Sequence, residues 1–203
     1  MISPLAKIRI IDDDPAMLES WKFLLNSLGC DVVTYNSAKE FLEKDDPHPM
    51  GCILLDVRMP EMSGLELQEL LKETKNELPI VFCSGHGTID MAVLAVRKGA
   101  VDFLEKPVEV ERLVESLERA CEKDAQRVEA QTLSLREKEK VDSLTQREKE
   151  VAKALADGSS NRAAGLKLGI SEKTVQIHRG SLCKKLGIRS QVEISKVVEK
   201  YHF

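Results

Sequence analysis

The chain has 203 residues, 42% hydrophobic and 32% charged, which supports an ordinary core in one large or two small domains. No run approaches the roughly 18 consecutive apolar residues of a membrane span, and MISPLAKIRII at the start has neither the apolar stretch nor the cleavage site of a signal peptide, so a cytoplasmic globular protein without membrane contact is expected. The net charge of −4 hides an asymmetry: before Ser143 there are 18 basic and 28 acidic residues, and from Ser143 onward 12 against 6, so an acidic module is joined to a small basic one suited to a polyanion.

Lys7 to Ile11 reads as a short apolar strand running into Asp12, Asp13 and Asp14. Pro15 suits the first turn of a helix that is amphipathic through Leu18, Trp21, Leu24, Leu25 and Leu28 and ends at Gly29. Asp31 to Tyr35 is a second strand, after which Ser37 and Glu40 form a capping box. Ile53, Leu54 and Leu55 make a third strand, buried on both faces, that ends in Asp56. Pro60 then forces an irregular turn, and Ser63 with Glu66 caps a helix carrying Leu65, Leu67, Leu70 and Leu71. Ile80 to Cys83 is a fourth strand, leading to Ser84-Gly85-His86-Gly87 and a helix from Thr88 to Lys98. Val101 to Leu104 is a fifth, leading to Glu105, Lys106 and Pro107. Strands alternating with helices through short loops predict an α/β fold, a five-stranded parallel sheet wound with helices on both sides.

From Val110 a helical stripe runs through Leu113, Val114, Leu117, Ala120 and Cys121. No Gly or Pro occurs between Val108 and Gly158, so the fifth helix is predicted to continue into the 130s as a charged helical linker. Thr145 and Glu148 form a capping box for a helix with Val151, Ala152 and Leu155 that ends at Gly158. Asn161 to Leu168 is a second short helix, Gly169 makes a turn, Ser171 caps a third helix reaching Leu186, and Gln191 to Tyr201 is a fourth. Two helices joined by a Gly-containing turn predict a helix-turn-helix within an all-α unit. The third of these helices carries Lys173, Thr174, Gln176, Ile177, His178, Arg179, Lys184 and Lys185, with Val175, Leu182 and Leu186 as its inward side. Gln can read base edges in a major groove while the cations hold phosphates, and Asn161 on the second helix joins the candidate DNA contacts. The expected division is 5–122, a linker over 123–141, and 142–203. Five scattered cysteines without CxxC spacing and four dispersed histidines point to reduced core thiols and away from zinc.

Right-handed crossovers place every strand's C-terminal end on one edge of the sheet, which gathers Asp12, Asp13, Asp56, Ser84 and Lys106. Three carboxylates that close repel one another and call for a hard divalent cation, Mg²⁺ with some waters retained. Ser84 as a donor and Lys106 as a fixed cation suit the oxygens of a phosphoryl group on Asp56. Strand-end residues that merely cap helices would cover one or two of these positions, not all five.

These residues carry a resemblance. IIDDD, LLDVRMPEMSG, Ser84 before a glycine, and DFLEKP resemble, in order and spacing, the receiver domain of two-component response regulators, a flavodoxin-like fold. The resemblance implies that Asp56 accepts phosphate from a sensor histidine kinase. It also implies that Asp13, Asp56 and the backbone carbonyl of Arg58 hold Mg²⁺ with Asp12 acting through water, that Ser84 and Lys106 grip the phosphoryl oxygens, and that Phe103 is the aromatic switch. LTQREKEV, ISEKTVQIHRGSLCKKLGI and the final helix resemble the LuxR/GerE-type four-helix DNA-binding domain. The whole chain therefore resembles the NarL/FixJ response regulators, and SGHG followed by Met91-Ala92-Val93 resembles the FixJ branch. That implies a transcription regulator, not an enzyme. It would form a homodimer on phosphorylation through the fourth and fifth helices and the strand between them, engaging paired half-sites on promoter DNA with RNA polymerase as a further partner.

Three departures stand out. Ser84 replaces the Thr of many relatives but keeps the hydroxyl. Phe103 replaces a Tyr and has no phenolic hydrogen bond, so switching through it rests on burial and packing. Gly180 stands where some relatives have a base-contacting side chain. An aspartyl-phosphate hydrolase needs a second Asp two residues after the nucleophile, where this chain has Arg58. A ligand-binding quorum sensor would need an aromatic pocket, against 4% aromatic residues here, and an RNA-binding or sigma-like output would need further sigma regions that the chain lacks.

Overall fold

Apolar strands separated by amphipathic helices bury both faces of a sheet only when helices wind over each side. The structure, a computed structural model, has this architecture in its first part and describes residues 6–203; the leading MISPL segment and the expected domain start at residue 5 lie outside the described residues. Two compact units form, the first ending at Glu129 and the second covering Ala130–Phe203. Among the described residues no helix is long and apolar enough to cross a membrane.

The first unit contains β1 (Lys7–Ile11), α1 (Pro15–Ser27), β2 (Asp31–Tyr35), α2 (Ala38–Lys44), β3 (Gly51–Leu55), α3 (Gly64–Glu73), β4 (Ile80–Ser84), α4 (Ile89–Arg97) and β5 (Asp102–Glu105), followed by α5 (Val110–Asp142), which continues into the second unit. The strands are parallel in the order β2-β1-β3-β4-β5. One face buries Ile8, Ile10, Cys52, Leu54 and Val81 against Leu18 and Leu25 of α1 and Leu113 and Leu117 of α5. The other buries Ile53, Leu55 and Phe82 against Phe41 of α2, Leu67 and Leu71 of α3 and Ala95 of α4. β3 begins two residues earlier than its apolar core suggests, and β5 lies one residue later, because its ladder with β4 starts at Val81 opposite Asp102. The Ser63–Glu66 capping box is present in full. At α2 the Ser37 side chain accepts from the Glu40 N–H, but Glu40 reaches back to the Asn36 N–H instead of the cap residue itself.

Two buried charges were not legible in the pattern. Arg9 sits in the middle of β1 with no exposure, on the face that otherwise holds Ile11. Its Nε donates to both Asp45 carboxylate oxygens at 2.9 and 2.8 Å, and its Nη2 donates to the carbonyls of Asp46 and Pro49 at 2.7 and 3.0 Å. The loop from α2 to β3 is thereby fastened to the sheet. Asp124 of α5 is also fully buried; it accepts from the Gly51 N–H at 2.8 Å and pairs with Arg127, so α5 remains packed on the sheet beyond residue 122.

In the second unit α5 ends at Asp142, and α6 (Gln146–Ala156), α7 (Asn161–Leu168), α8 (Glu172–Leu186) and α9 (Gln191–Tyr201) follow. Val151, Leu155, Ala164, Val175, Leu182 and Ile194 form a fully buried centre. The inward side of α8 is the expected one, Val175, Leu182 and Leu186.

Glu148, 3% exposed, ties this unit together. It completes the Thr145 capping box, accepts from the Ser181 hydroxyl, and pairs with Lys185 Nζ at 2.7 Å. Burial opposes its ionisation, but the hydrogen bonds from Lys185, Ser181 and Thr145 outweigh that and hold the carboxyl at about 2, below its usual 4.5. A depressed carboxyl pKa contributes stability that is fully present above pH 4.5 and lost as pH falls toward 2. Wild type should therefore lose helical stability between pH 4.5 and 2.5 more steeply than Glu148→Gln, compared by urea unfolding at several pH values. Parallel curves would show that this carboxylate is not a determinant of acid stability.

Candidate functional site

The chain leaves β1 for β2 on one side and then crosses to β3 on the other, so the C-terminal ends of β1 and β3 flank a topological switch point. Asp12 follows β1 and Asp56 follows β3, and the Asp56 N–H donates to the Ile11 carbonyl at 2.9 Å, which locks the two strand ends side by side. Lys106, just after β5, reaches across: its Nζ lies 2.6 Å from Asp12 Oδ2 and 3.0 Å from Asp56 Oδ1. Each carboxylate also has one oxygen held by its own loop. Asp12 Oδ1 accepts from the Asp14 N–H at 3.0 Å, and Asp56 Oδ2 accepts from the Arg58 N–H at 2.6 Å. Both side chains are thus oriented at both ends, with Asp12 and Asp56 buried. Burial favours the neutral amine of Lys106, yet the hydrogen bonds and charges of Asp12 and Asp56 prevail and hold it above its ordinary value.

Ser84, the last residue of β4, is buried, and the Lys106 N–H donates to its carbonyl at 3.1 Å. Its Oγ accepts from the His86 N–H at 3.4 Å. Asp13 is exposed, and among the described residues no three Asp, Glu, His or Cys side chains are grouped closely enough to hold a metal by themselves. Three carboxylates against one ammonium still leave two negative charges at this edge, and the donors are oxygens, which fits a hard divalent cation.

Two glycines set the loops. A Cβ on Gly64 would lie 2.2 Å from the Asp56 carbonyl oxygen, so only glycine lets the start of α3 fold back onto the carboxylate's own backbone. Between Asp56 and Gly64, Glu61 takes a left-handed φ of 65°. A Cβ on Gly87 would lie 2.5 Å from the ring of Phe103, which stacks on Phe82 with centroids 5.9 Å apart. The aromatic ring thus packs where the glycine leaves space, without a polar anchor.

On α8 the structure separates the candidate DNA contacts. Lys173, Gln176, Ile177, Gly180 and Lys184 are exposed and follow the helical repeat along one face. Thr174, His178, Arg179 and Lys185 are half-buried. Arg179 donates to Asn161 Oδ1 at 3.1 Å, which joins α8 to α7. Lys185 pairs with Glu148 and also donates to the Ser143 carbonyl at 3.1 Å. Lys185 thus has an internal role in holding Glu148, for which the burial of Glu148 was the missing signal. Ile177, an aliphatic side chain 63% exposed, has no packing explanation within the unit.

Residues 8–118 match the family described as response regulator receiver domain, and residues 142–198 match that of bacterial regulatory proteins, luxR family. Among curated proteins, the chain is similar to the response regulator protein TodT of Pseudomonas putida, 42% identical over 95% of this chain and 85% of TodT. It is also similar to the transcriptional regulatory protein FixJ of Bradyrhizobium diazoefficiens, 35% identical over 94% of this chain and 93% of FixJ. Among solved structures, that of the response regulator StyR superposes with a TM-score of 0.87 at 39% identity, covering 97% of this chain and 99% of StyR.

Proposed function

Since the chain belongs to the two-component response regulators that join a receiver to a LuxR-type DNA-binding helix-turn-helix, and is therefore a transcriptional regulator, we propose that Asp56 is its phosphoacceptor and that phosphorylation drives dimerisation and promoter binding. The observation that carries this is the Lys106 ammonium within 3.0 Å of both Asp12 and Asp56 at the sheet's switch point.

Asp56 Oδ2 is occupied by the Arg58 N–H, so Oδ1, facing Lys106, is the oxygen that attacks phosphorus. The phosphoryl group comes from the phosphohistidine of a sensor kinase. Asp13, Asp56 and the Arg58 carbonyl, with Asp12 through water, would hold Mg²⁺. When bound, the ion neutralises charge on the phosphoryl oxygens. Lys106 then exchanges its carboxylate partner on Asp56 for a phosphoryl oxygen, Ser84 donates its hydroxyl to another, and Phe103 shifts from its place against Gly87 and Phe82. Two receivers associate, two α8 helices meet paired half-sites in cytoplasmic promoter DNA, and RNA polymerase is the downstream partner. The test is fluorescence anisotropy with duplexes selected from a random library, with and without acetyl phosphate and Mg²⁺. Binding should tighten at least about tenfold, or roughly 1.4 kcal/mol, together with a shift to dimer on size exclusion. Unchanged affinity and monomer after full phosphorylation would remove the proposal.

The exposed face of α8 gives a further expectation. Gln176→Ala should cost about 1–3 kcal/mol on a selected duplex while sparing a scrambled one, and Lys184→Ala should weaken both and lower the salt slope by about one. Lys185→Ala should act differently, lowering the unfolding midpoint through loss of the Glu148 pair. Equal losses on both duplexes for Gln176→Ala would mean that this face does not enter the groove.

A further inference from the structure

Four of the five cysteines are buried, and two of them touch: Cys52 in β3 and Cys121 in α5 have their sulfurs 3.5 Å apart. Cys52 has no exposure and Cys121 is 6% exposed. A disulfide needs sulfurs at about 2.05 Å, so closing the pair requires an approach of roughly 1.5 Å. The neighbourhood holds the rest of the geometry in place. Gly51, next to Cys52, donates to Asp124, which lies one turn beyond Cys121 on the same helix. The two chain segments are therefore already in register before any bond forms. Cys30 lies close enough to Cys121 for its thiol to be pushed up by that neighbour as well as, chiefly, by burial, and Cys83 is buried with its thiol pushed up to about 11, chiefly by burial; among the described residues the sulfur–sulfur hydrogen bond is between Cys52 and Cys121.

We propose that Cys52 and Cys121 form an oxidisable pair whose disulfide would staple α5 to β3, making the receiver unit sensitive to peroxide. The Cys121 thiolate attacks one peroxide oxygen, the O–O bond breaks, and a sulfenic acid and one water result after protonation. Cys52 sulfur then attacks Cys121 sulfur, and the sulfenic oxygen leaves as a second water. Two thiols are oxidised and one hydrogen peroxide is reduced to two waters. Cys121 is the entry point because it is the less buried residue of the two. The hydrogen bond between the two sulfurs, and then burial, push the Cys52 thiol up, while the same hydrogen bond lowers the Cys121 thiol. The pair does not depend on Asp56 being the phosphoacceptor.

The experiment treats the native full chain with hydrogen peroxide, blocks remaining thiols with an alkylating reagent, and maps peptides without reduction. The expected result is a loss of two titratable thiols, a mass lower by two hydrogens, and one linked peptide joining Cys52 to Cys121, reversed by dithiothreitol. Hydrogen exchange in β3 and the first half of α5 should slow severalfold in the oxidised protein. Cys121→Ala should leave Cys52 reduced under the same treatment, and because that variant could disturb packing, the native map decides. Five thiols still titratable, oxygen added to single cysteines without a link, or a link between other cysteines would each overturn the proposal.

Discussion

Asp56→Asn should leave the protein folded and unable to take up phosphate from acetyl phosphate with Mg²⁺, incorporation falling to background on phosphate-affinity gels. The amide nitrogen or oxygen is a poor nucleophile in place of a carboxylate. The fold should persist because Lys106 keeps Asp12 as a partner at 2.6 Å and the amide oxygen can still accept from the Arg58 N–H. DNA affinity should then stop responding to acetyl phosphate. Wild-type incorporation in this variant would place the acceptor elsewhere and leave the Asp12–Lys106–Asp56 cluster as a structural ion triplet.

Arg9→Met should destabilise the receiver unit by about 3–5 kcal/mol, the scale for removing one member of a buried ion pair. Asp45 would keep only the Tyr35 hydroxyl, and the carbonyls of Asp46 and Pro49 would lose their donor inside the protein. Combining Arg9→Met with Asp45→Leu should recover part of the loss, since no lone charge then remains. Urea unfolding followed by circular dichroism measures both. A loss below about 1 kcal/mol for the single change would mean that water reaches Asp45, against its near-complete burial.

The sheet, its order and the gathering of Asp12, Asp56, Ser84 and Lys106 were legible because alternation of apolar strands with capped helices constrains topology strongly, and strand-end residues inherit their position from it. The same logic puts Asp13 on that edge, but strand-end reasoning does not say how exposed a side chain there is. Arg9, Asp124 and Glu148 escaped for a related reason. A charged residue reads as solvent-facing, and only the distant partners Asp45, Gly51 and Lys185 reveal that burial is compensated. On α8 the sequence shows which residues are polar, but the division between Gln176 and Lys184, which are exposed, and Arg179 and Lys185, which bond to Asn161 and Glu148, depends on the neighbouring helices.

The strand order also governs how quickly each unit can assemble. β1 lies between β2 and β3, so Lys7 must find both Asp31 and Gly51, and every ladder of the sheet joins segments separated by a helix. Loop-closure entropy is lost before such pairings return any stabilisation, which slows parallel sheets. The second unit closes instead through successive short helices, two of which, α6 and α9, begin at reciprocal caps encoded within four residues. On release from denaturant the DNA-binding helices would therefore form first, while the sheet that is to control them is still searching for its central strand.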